Sequence, residues 1–154
     1  MVLTMRLALE KAKAVQKMID DADDYIIIAC DTSVAVEDEI LGKPKDRDDA
    51  VRMLRKLSLE KQFVLTGVTF VMNGNIKSFV ETTAVIFNKL DEDNDGLINN
   101  YEFNKNISAI VDISQSVYGI QLLGDKMIDH IEGDLENVMG FPVKRIKDEL
   151  EKFL

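Results

Sequence analysis

Between two runs rich in Val, Thr, Ile and Phe, Gln62 to Val71 and Ile76 to Phe87, the chain places the dipeptide Asn73-Gly74. A type I′ turn needs positive φ at both central positions, which Asn and Gly tolerate, and its twist matches the right-handed twist of paired strands. The two runs therefore predict a long antiparallel hairpin. A hairpin alone is marginal in water, so further strands or packed helices must cover it. A fold containing a sheet is favoured over any all-α fold.

Helical spacing supplies those covers. Met5, Ala8, Ala12, Val15 and Ile19 form the apolar stripe of a first helix, bordered by Lys11. After four aspartates between positions 20 and 24, Tyr25 to Cys30 is a β-branched run that reads as a strand buried on both faces, ended by Asp31-Thr32. Val34, Val36, Ile40 and Leu41 flank the acidic turn Glu37-Asp38-Glu39 and predict a strand extension or hairpin. Asp46 is placed to cap a helix whose buried side is Ala50, Met53, Leu54 and Leu57. Further along, Asn99 to about Ile110 predicts a helix and Met127 to Ile131 a short strand. Pro142 starts a last helix with the stripe Val143, Ile146, Leu150 and Phe153. The interleaving predicts an α/β domain with a mixed sheet flanked by helices, one domain over residues 1–154.

Charge narrows the partners. The chain carries a formal charge of −9, and five of those negative charges lie in Asp91 to Glu102, which contains no Lys or Arg. Nucleic acid polymers and anionic membranes are poor partners for such a surface. No apolar run reaches the roughly 18 residues of a membrane helix. Cys30 is the single cysteine and the N-terminus lacks a charged segment followed by an apolar one, so a reducing cytoplasmic setting is expected. Cys30 reads as a core residue, and His130 as a half-buried structural one.

The acidic stretch has a pattern. Asp91, Asp93, Asp95, Gly96, Leu97, Ile98, Asn99 and Glu102 stand at positions 1, 3, 5, 6, 7, 8, 9 and 12 of an EF-hand loop. Ca²⁺ takes six to eight oxygens, and three Asp side chains, the Leu97 carbonyl, the Asn99 group or its water, and a bidentate Glu102 supply them, while Gly96 permits the turn. Phe87 and Leu90 precede the loop at helical spacing, and Phe103 and Ile107 follow it. The incoming segment Val80 to Phe87, however, prefers strand to helix. No second such loop is present to pair with it. The loop reads as an EF-hand-like insertion over residues 87–107 that binds Ca²⁺, with a solvated acidic turn as the alternative.

Polar clusters elsewhere fall where packing does not call for them: Asp31-Thr32, Gly42-Lys43-Pro44-Lys45, Thr66-Gly67 and Tyr118-Gly119-Ile120-Gln121. Carboxylates and lysines near strand ends suit a site for a metal-bound phosphate, because phosphoryl chemistry demands charge neutralisation and positioning. Strand ends and turns also carry such residues for structural reasons.

Taken in order, Leu7 to Ala12, Cys30-Asp31-Thr32, Glu39 to Asp46, Ala50 to Leu57, Leu65 to Val68, Tyr118 to Gln121, Ile131 to Asp134 and Asn137 to Pro142 resemble the Maf (septum-formation) family of nucleotide pyrophosphatases. The likeness covers residues 3–87 and 117–154. It implies a fold related to the inosine-triphosphate pyrophosphatases, and hydrolysis of a nucleoside triphosphate to monophosphate and pyrophosphate with a divalent metal, Mg²⁺ or Mn²⁺. By position, it makes Asp31 the catalytic carboxylate, sets Lys11, Lys43 and Thr32 on the substrate, and lines the pocket with Gln121.

The chain starts downstream of the family's first strand and Ser-x-Ser-Pro-Arg-Arg phosphate loop, so both are expected to be missing. That would leave a sheet edge open for a homodimer. Asp112 to Ser116 lacks the family's lysine, and Leu122 replaces a glycine. A second reading follows from these departures: a calcium-binding regulatory module on a Maf-derived scaffold without catalysis.

Overall fold

The computed structural model describes residues 3–20, 24–37, 39–41, 44–58, 61–93, 95, 97–106 and 128–154. The hairpin is its centre. Strand β3 (Lys61–Met72) pairs with β4 (Asn75–Phe87) in unbroken antiparallel register from Lys61↔Ile86 to Met72↔Asn75. Asn73 and Gly74, both at positive φ, form the predicted connection.

On the other side of β3 lies β1 (Ile27–Val36), antiparallel from Ile27↔Val71 to Val36↔Gln62. The short β2 (Glu39–Leu41) folds back on the end of β1, and β5 (Ile128–Glu132) adds to β4, giving the order β2-β1-β3-β4-β5. Every strand pairing among the described residues is antiparallel. Met127 lies outside the described residues, as does the last part, residues 107–110, of the helix expected from Asn99 to Ile110.

The two faces of the sheet are covered unequally. Side chains alternate along a strand, so Val64, Val68 and Phe70 face one side and Gly67 and Val71 the other. Against the first face pack α2 (Arg47–Leu57), α3 (residues 100–106), α4 (Leu135–Val138) and α5 (Val143–Glu151), through Met53, Leu54, Leu57, Phe103, Val138 and Ile146. Leu54 and Leu57 are fully shielded, each contributing roughly 1.5–3 kcal/mol by burial. The Asp46 side chain caps α2 by accepting from the Asp49 N–H at 2.9 Å, as its position predicts.

The second face is covered by α1 (Leu3–Gln16), whose buried residues are Thr4, Ala8 and Ala12. All are small, which lets the helix sit directly on the sheet. It is shorter than its apolar stripe suggested: Val15 is 41% exposed and Ile19, beyond the helix, 37%.

Strand β1 also differs from expectation. It begins at Ile27 and runs through Asp31-Thr32 to Val36, because β3 offers a ladder partner to every residue along that length. Its residues Ile28 to Ala35 are half-buried rather than enclosed on both faces, since β2 covers its outer edge only at Val34 to Val36. No helix is long and apolar enough to cross a membrane among the described residues.

Candidate active site

Alternation along β1 sends Asp31 to the α1 face and Thr32 to the opposite face. On the α1 face, Lys11 Nζ donates to Asp31 Oδ1 at 2.7 Å and to the Cys30 carbonyl at 3.2 Å. The two residues are 20 positions apart, and the close seating of α1 joins them. Gly67, opposite Asp31 in register, permits this: a Cβ there would lie 2.3 Å from the carbonyl carbon of Thr4. The Asp31 side chain is 16% exposed and the Lys11 side chain 56%, so the pair has a wall on one side and solvent on the other.

The donor set fits a polyphosphate with its cation. An ammonium has three donors, of which Lys11 uses two among the described residues, so a third is available to a phosphate oxygen. Asp31 Oδ1 is engaged by Lys11, while Oδ2 has no hydrogen bond or ion pair of its own among the described residues. A carboxylate oxygen held in this way can accept a proton from water or ligate a hard divalent ion. Lys43 and Gln121 lie outside the described residues.

Thr32 is separated from the ion pair by the strand itself. Its hydroxyl lies 2.9 Å from that of Thr66, which contacts the Asn137 carbonyl at 3.2 Å. Thr66, Thr83 and Asn137 are fully buried polar residues on this face and were not among the expected site residues. Their signal in the sequence was a Thr on the apolar side of each hairpin strand, which β-propensity alone explains equally well.

Cys30, beside Asp31, has its thiol pushed up to about 11 by burial, against the opposing effect of Lys11. It is inert as a nucleophile at neutral pH. His130 is exposed on β5, not half-buried: Nδ1 lies 2.5 Å from Asp129 Oδ2 and Nε2 3.4 Å from Glu132 Oε1. Hydrogen bonds to those two carboxylates raise its pKa above the ordinary imidazole value.

The acidic loop follows a strand. Phe87 is the last residue of β4 and Leu90 is buried with it, so the helical spacing ahead of the loop has no helix behind it; the β-branched run decided the outcome. Oxygens of Asp91, Asp93 and Asp95 all lie within 4.8 Å of one another. Glu102 is 1% exposed, and its two oxygens accept from the Glu92 N–H at 2.7 Å and the Asn99 N–H at 2.9 Å. Asn99 Oδ1 accepts from the N–H groups of Tyr101 and Glu102, capping α3. The Asp95 N–H bond lowers the pKa of Asp93, but burial and the carboxylates of Asp95 and Glu102 outweigh it and leave the net shift upward. Leu97 exposes its side chain, 55% accessible, so its carbonyl is the group it could offer an ion.

Comparison with known proteins places this architecture. The family described as Maf-like protein matches residues 1–153. A dTTP/UTP pyrophosphatase of Thermosipho africanus is 38% identical over 147 residues, covering 96% of this chain and 70% of its own length. One from Bacillus thuringiensis is 38% identical over 151 residues, covering 98% and 74%. One from Acetivibrio thermocellus is 36% identical, covering 98% and 74%.

Proposed function

The chain belongs to the Maf family, and from that membership together with the Lys11–Asp31 pair we propose that it hydrolyses a nucleoside triphosphate, of the dTTP and UTP class named for its relatives, to the monophosphate and pyrophosphate. The single observation that supports the site is the carboxylate with one oxygen held by an ammonium and the other without a hydrogen-bond partner among the described residues.

Asp31 Oδ2 accepts a proton from the attacking water, whose oxygen bonds to the α-phosphorus. The bond from that phosphorus to the bridging oxygen breaks, and pyrophosphate leaves with the electron pair. Lys11 orients Asp31 through Oδ1 and offers its third N–H to a phosphate oxygen. Asp31 would hold a divalent cation, Mg²⁺ or Mn²⁺, which would neutralise the polyphosphate charge. To Lys43 we assign a second phosphate contact, and to Gln121 a place in the substrate pocket, both from their positions in the family motifs.

Two finer assignments belong with this reading. Ca²⁺ is the ion we assign to the Asp91 to Glu102 loop, supported by the carboxylates that gather within 4.8 Å and by the buried position-12 glutamate. The outer edge of β1 over Ile27 to Ser33, unpaired among the described residues, supports self-association as a homodimer.

The deciding experiment incubates the protein with Mg²⁺ and a panel of nucleoside triphosphates and measures pyrophosphate release. Asp31→Asn keeps the shape and loses the charge, so turnover is expected to fall by about 10² to 10⁴. Equal rates in the two proteins remove Asp31 from catalysis.

A further inference from the structure

The sheet face that carries Lys11 and Asp31 also carries an apolar strip. Pairing in register sets Ile40, Ala35, Phe63 and Ala84 side by side across β2, β1, β3 and β4. Phe63 and Gly67 are four residues apart on β3, so both lie on the α1 side. The outward face of an antiparallel sheet ordinarily reads polar, yet Phe63 is 40% exposed and Ile40 53%. With alanine on each side of it in register, Phe63 has no cross-strand neighbour long enough to cover its ring. At the far end the strip is rimmed by charge: Glu132, opposite Ala84, pairs with Lys61 at 2.6 Å.

The place of the strip relative to Asp31 says what fits it. Helix α1 starts over Gly67, where Thr4 meets the strand, and runs toward Ile27 and Val71, against which Ala12 packs. It closes the face on that side of Asp31. In the other direction the next row is Ser33, Leu65 and Thr82, and the row after it is Ala35, Phe63 and Ala84. The first of these rows offers two hydroxyls and the second an exposed aromatic ring. Four residues along a strand span about 13 Å, a length that a water, an α-phosphate and a ribose together fill. A nucleotide held by its phosphates at Lys11 and Asp31 presents the same succession of charge, hydroxyls and planar ring.

We propose that Phe63 is the residue on which the base of the substrate nucleotide stacks, with the sugar over Ser33 and Thr82. Every base has a π-face, so Phe63 holds the base without choosing among bases. A second copy of the chain is the poorer occupant: four side chains, two of them alanines, fall far short of the roughly 800 Å² per partner that a stable interface buries. The proposal rests on the pyrophosphatase reading.

The test is steady-state hydrolysis with Mg²⁺ of UTP and of ribose 5-triphosphate, which differs from it by the missing base. For the wild type, KM for ribose 5-triphosphate should exceed that for UTP by about fivefold to a hundredfold, the effect of losing one stacked base. Phe63→Ala should raise KM for UTP toward the base-less value, with kcat little changed and KM for ribose 5-triphosphate unmoved. Phe63→Leu keeps apolar bulk without a π-face and should stay impaired, while Phe63→Trp should restore the wild-type KM. Because the chain contains no Trp, the Phe63→Trp variant also reports directly. With Mg²⁺, its emission should be quenched by α,β-methylene-UTP, whose bridge resists cleavage, and not by pyrophosphate. Rescue by leucine, an unchanged KM for UTP in Phe63→Ala, or emission that follows protein concentration and ignores the nucleotide overturns the stacking while hydrolysis of UTP stands. A wild type that releases pyrophosphate from no nucleotide overturns the functional reading and this subsite together.

Discussion

Gly67 shows how much a single missing side chain can decide. It brings the α1 backbone within contact distance of β3, with an added Cβ only 2.3 to 2.5 Å from Thr4 and Met5 backbone atoms. Rotamer changes cannot relieve a clash against backbone, so Gly67→Ala must push α1 outward. Overpacking of this kind costs about 1–3 kcal/mol. The same displacement lengthens the 2.7 Å contact between Lys11 and Asp31, and misplacing a reacting group by about 1 Å can cost 10² in rate. Gly67→Ala is thus expected to lower both the melting temperature and kcat, the latter by about 10 to 10². A variant that melts earlier but turns over normally would separate the seating of α1 from catalysis.

Among the elements, α5 is held to the sheet by charge as well as by Ile146. Glu149 Oε2 lies 2.7 Å from Lys77 on β4, and Oε1 lies 3.0 Å from Lys152 and 3.2 Å from Arg145. The hydrogen bonds of Lys77 and Lys152 lower the Glu149 pKa to about 2, against burial, which raises it. A depressed carboxylate pKa stabilises the fold above the unfolded value of about 4.3 and loses that contribution as pH falls toward the folded value. Glu149→Gln is therefore expected to melt several degrees lower at neutral pH, with the difference from wild type closing between about pH 4.3 and 2. A gap constant over that window would mean that packing, not charge, holds the helix.

Elements were legible where local chemistry alone sets them. Asn73-Gly74 fixed the hairpin and Asp46 the start of α2, since each acts on its own backbone neighbours. The extent of β1 was not legible: Asp31-Thr32-Ser33 reads as a strand end, and only the ladder with β3 carries the strand past it. The same holds for the site. Asp31 and Lys11 could be named from the motifs, but the hydrogen-bonded row Thr32, Thr66 and Asn137 depends on which residues share a sheet face, Thr66 and Asn137 being 71 positions apart.

At the scale of the whole molecule, the acidic loop is built into the core rather than appended to it. The Leu90 N–H donates to Ser58 Oγ at the C-terminal end of α2, at 2.9 Å. At the other end of that helix, Arg47 donates to Asn100 Oδ1 and lies 4.3 Å from the Phe103 ring centre, while Phe103 itself is buried in the main core. Anything that orders the loop therefore stabilises the domain. Clustered carboxylates repel one another until a cation neutralises them, and this repulsion adds to burial in raising Asp93. Without a paired loop to preorganise it, binding of Ca²⁺ is expected at about 10⁻⁵ to 10⁻³ M. At a hundredfold excess over that constant, linkage gives a stabilisation of about 2.7 kcal/mol, measurable as a rise in Tm. Glu102→Gln removes the charge of the position-12 ligand and should abolish most of that rise while leaving Mg²⁺-supported hydrolysis intact, because the loop ligands are separate from Asp31 and Lys11. Calorimetric titration of both proteins with Ca²⁺ checks this. Indistinguishable heats would reduce the loop to an acidic turn that braces α2 through Ser58, Arg47 and Phe103 alone.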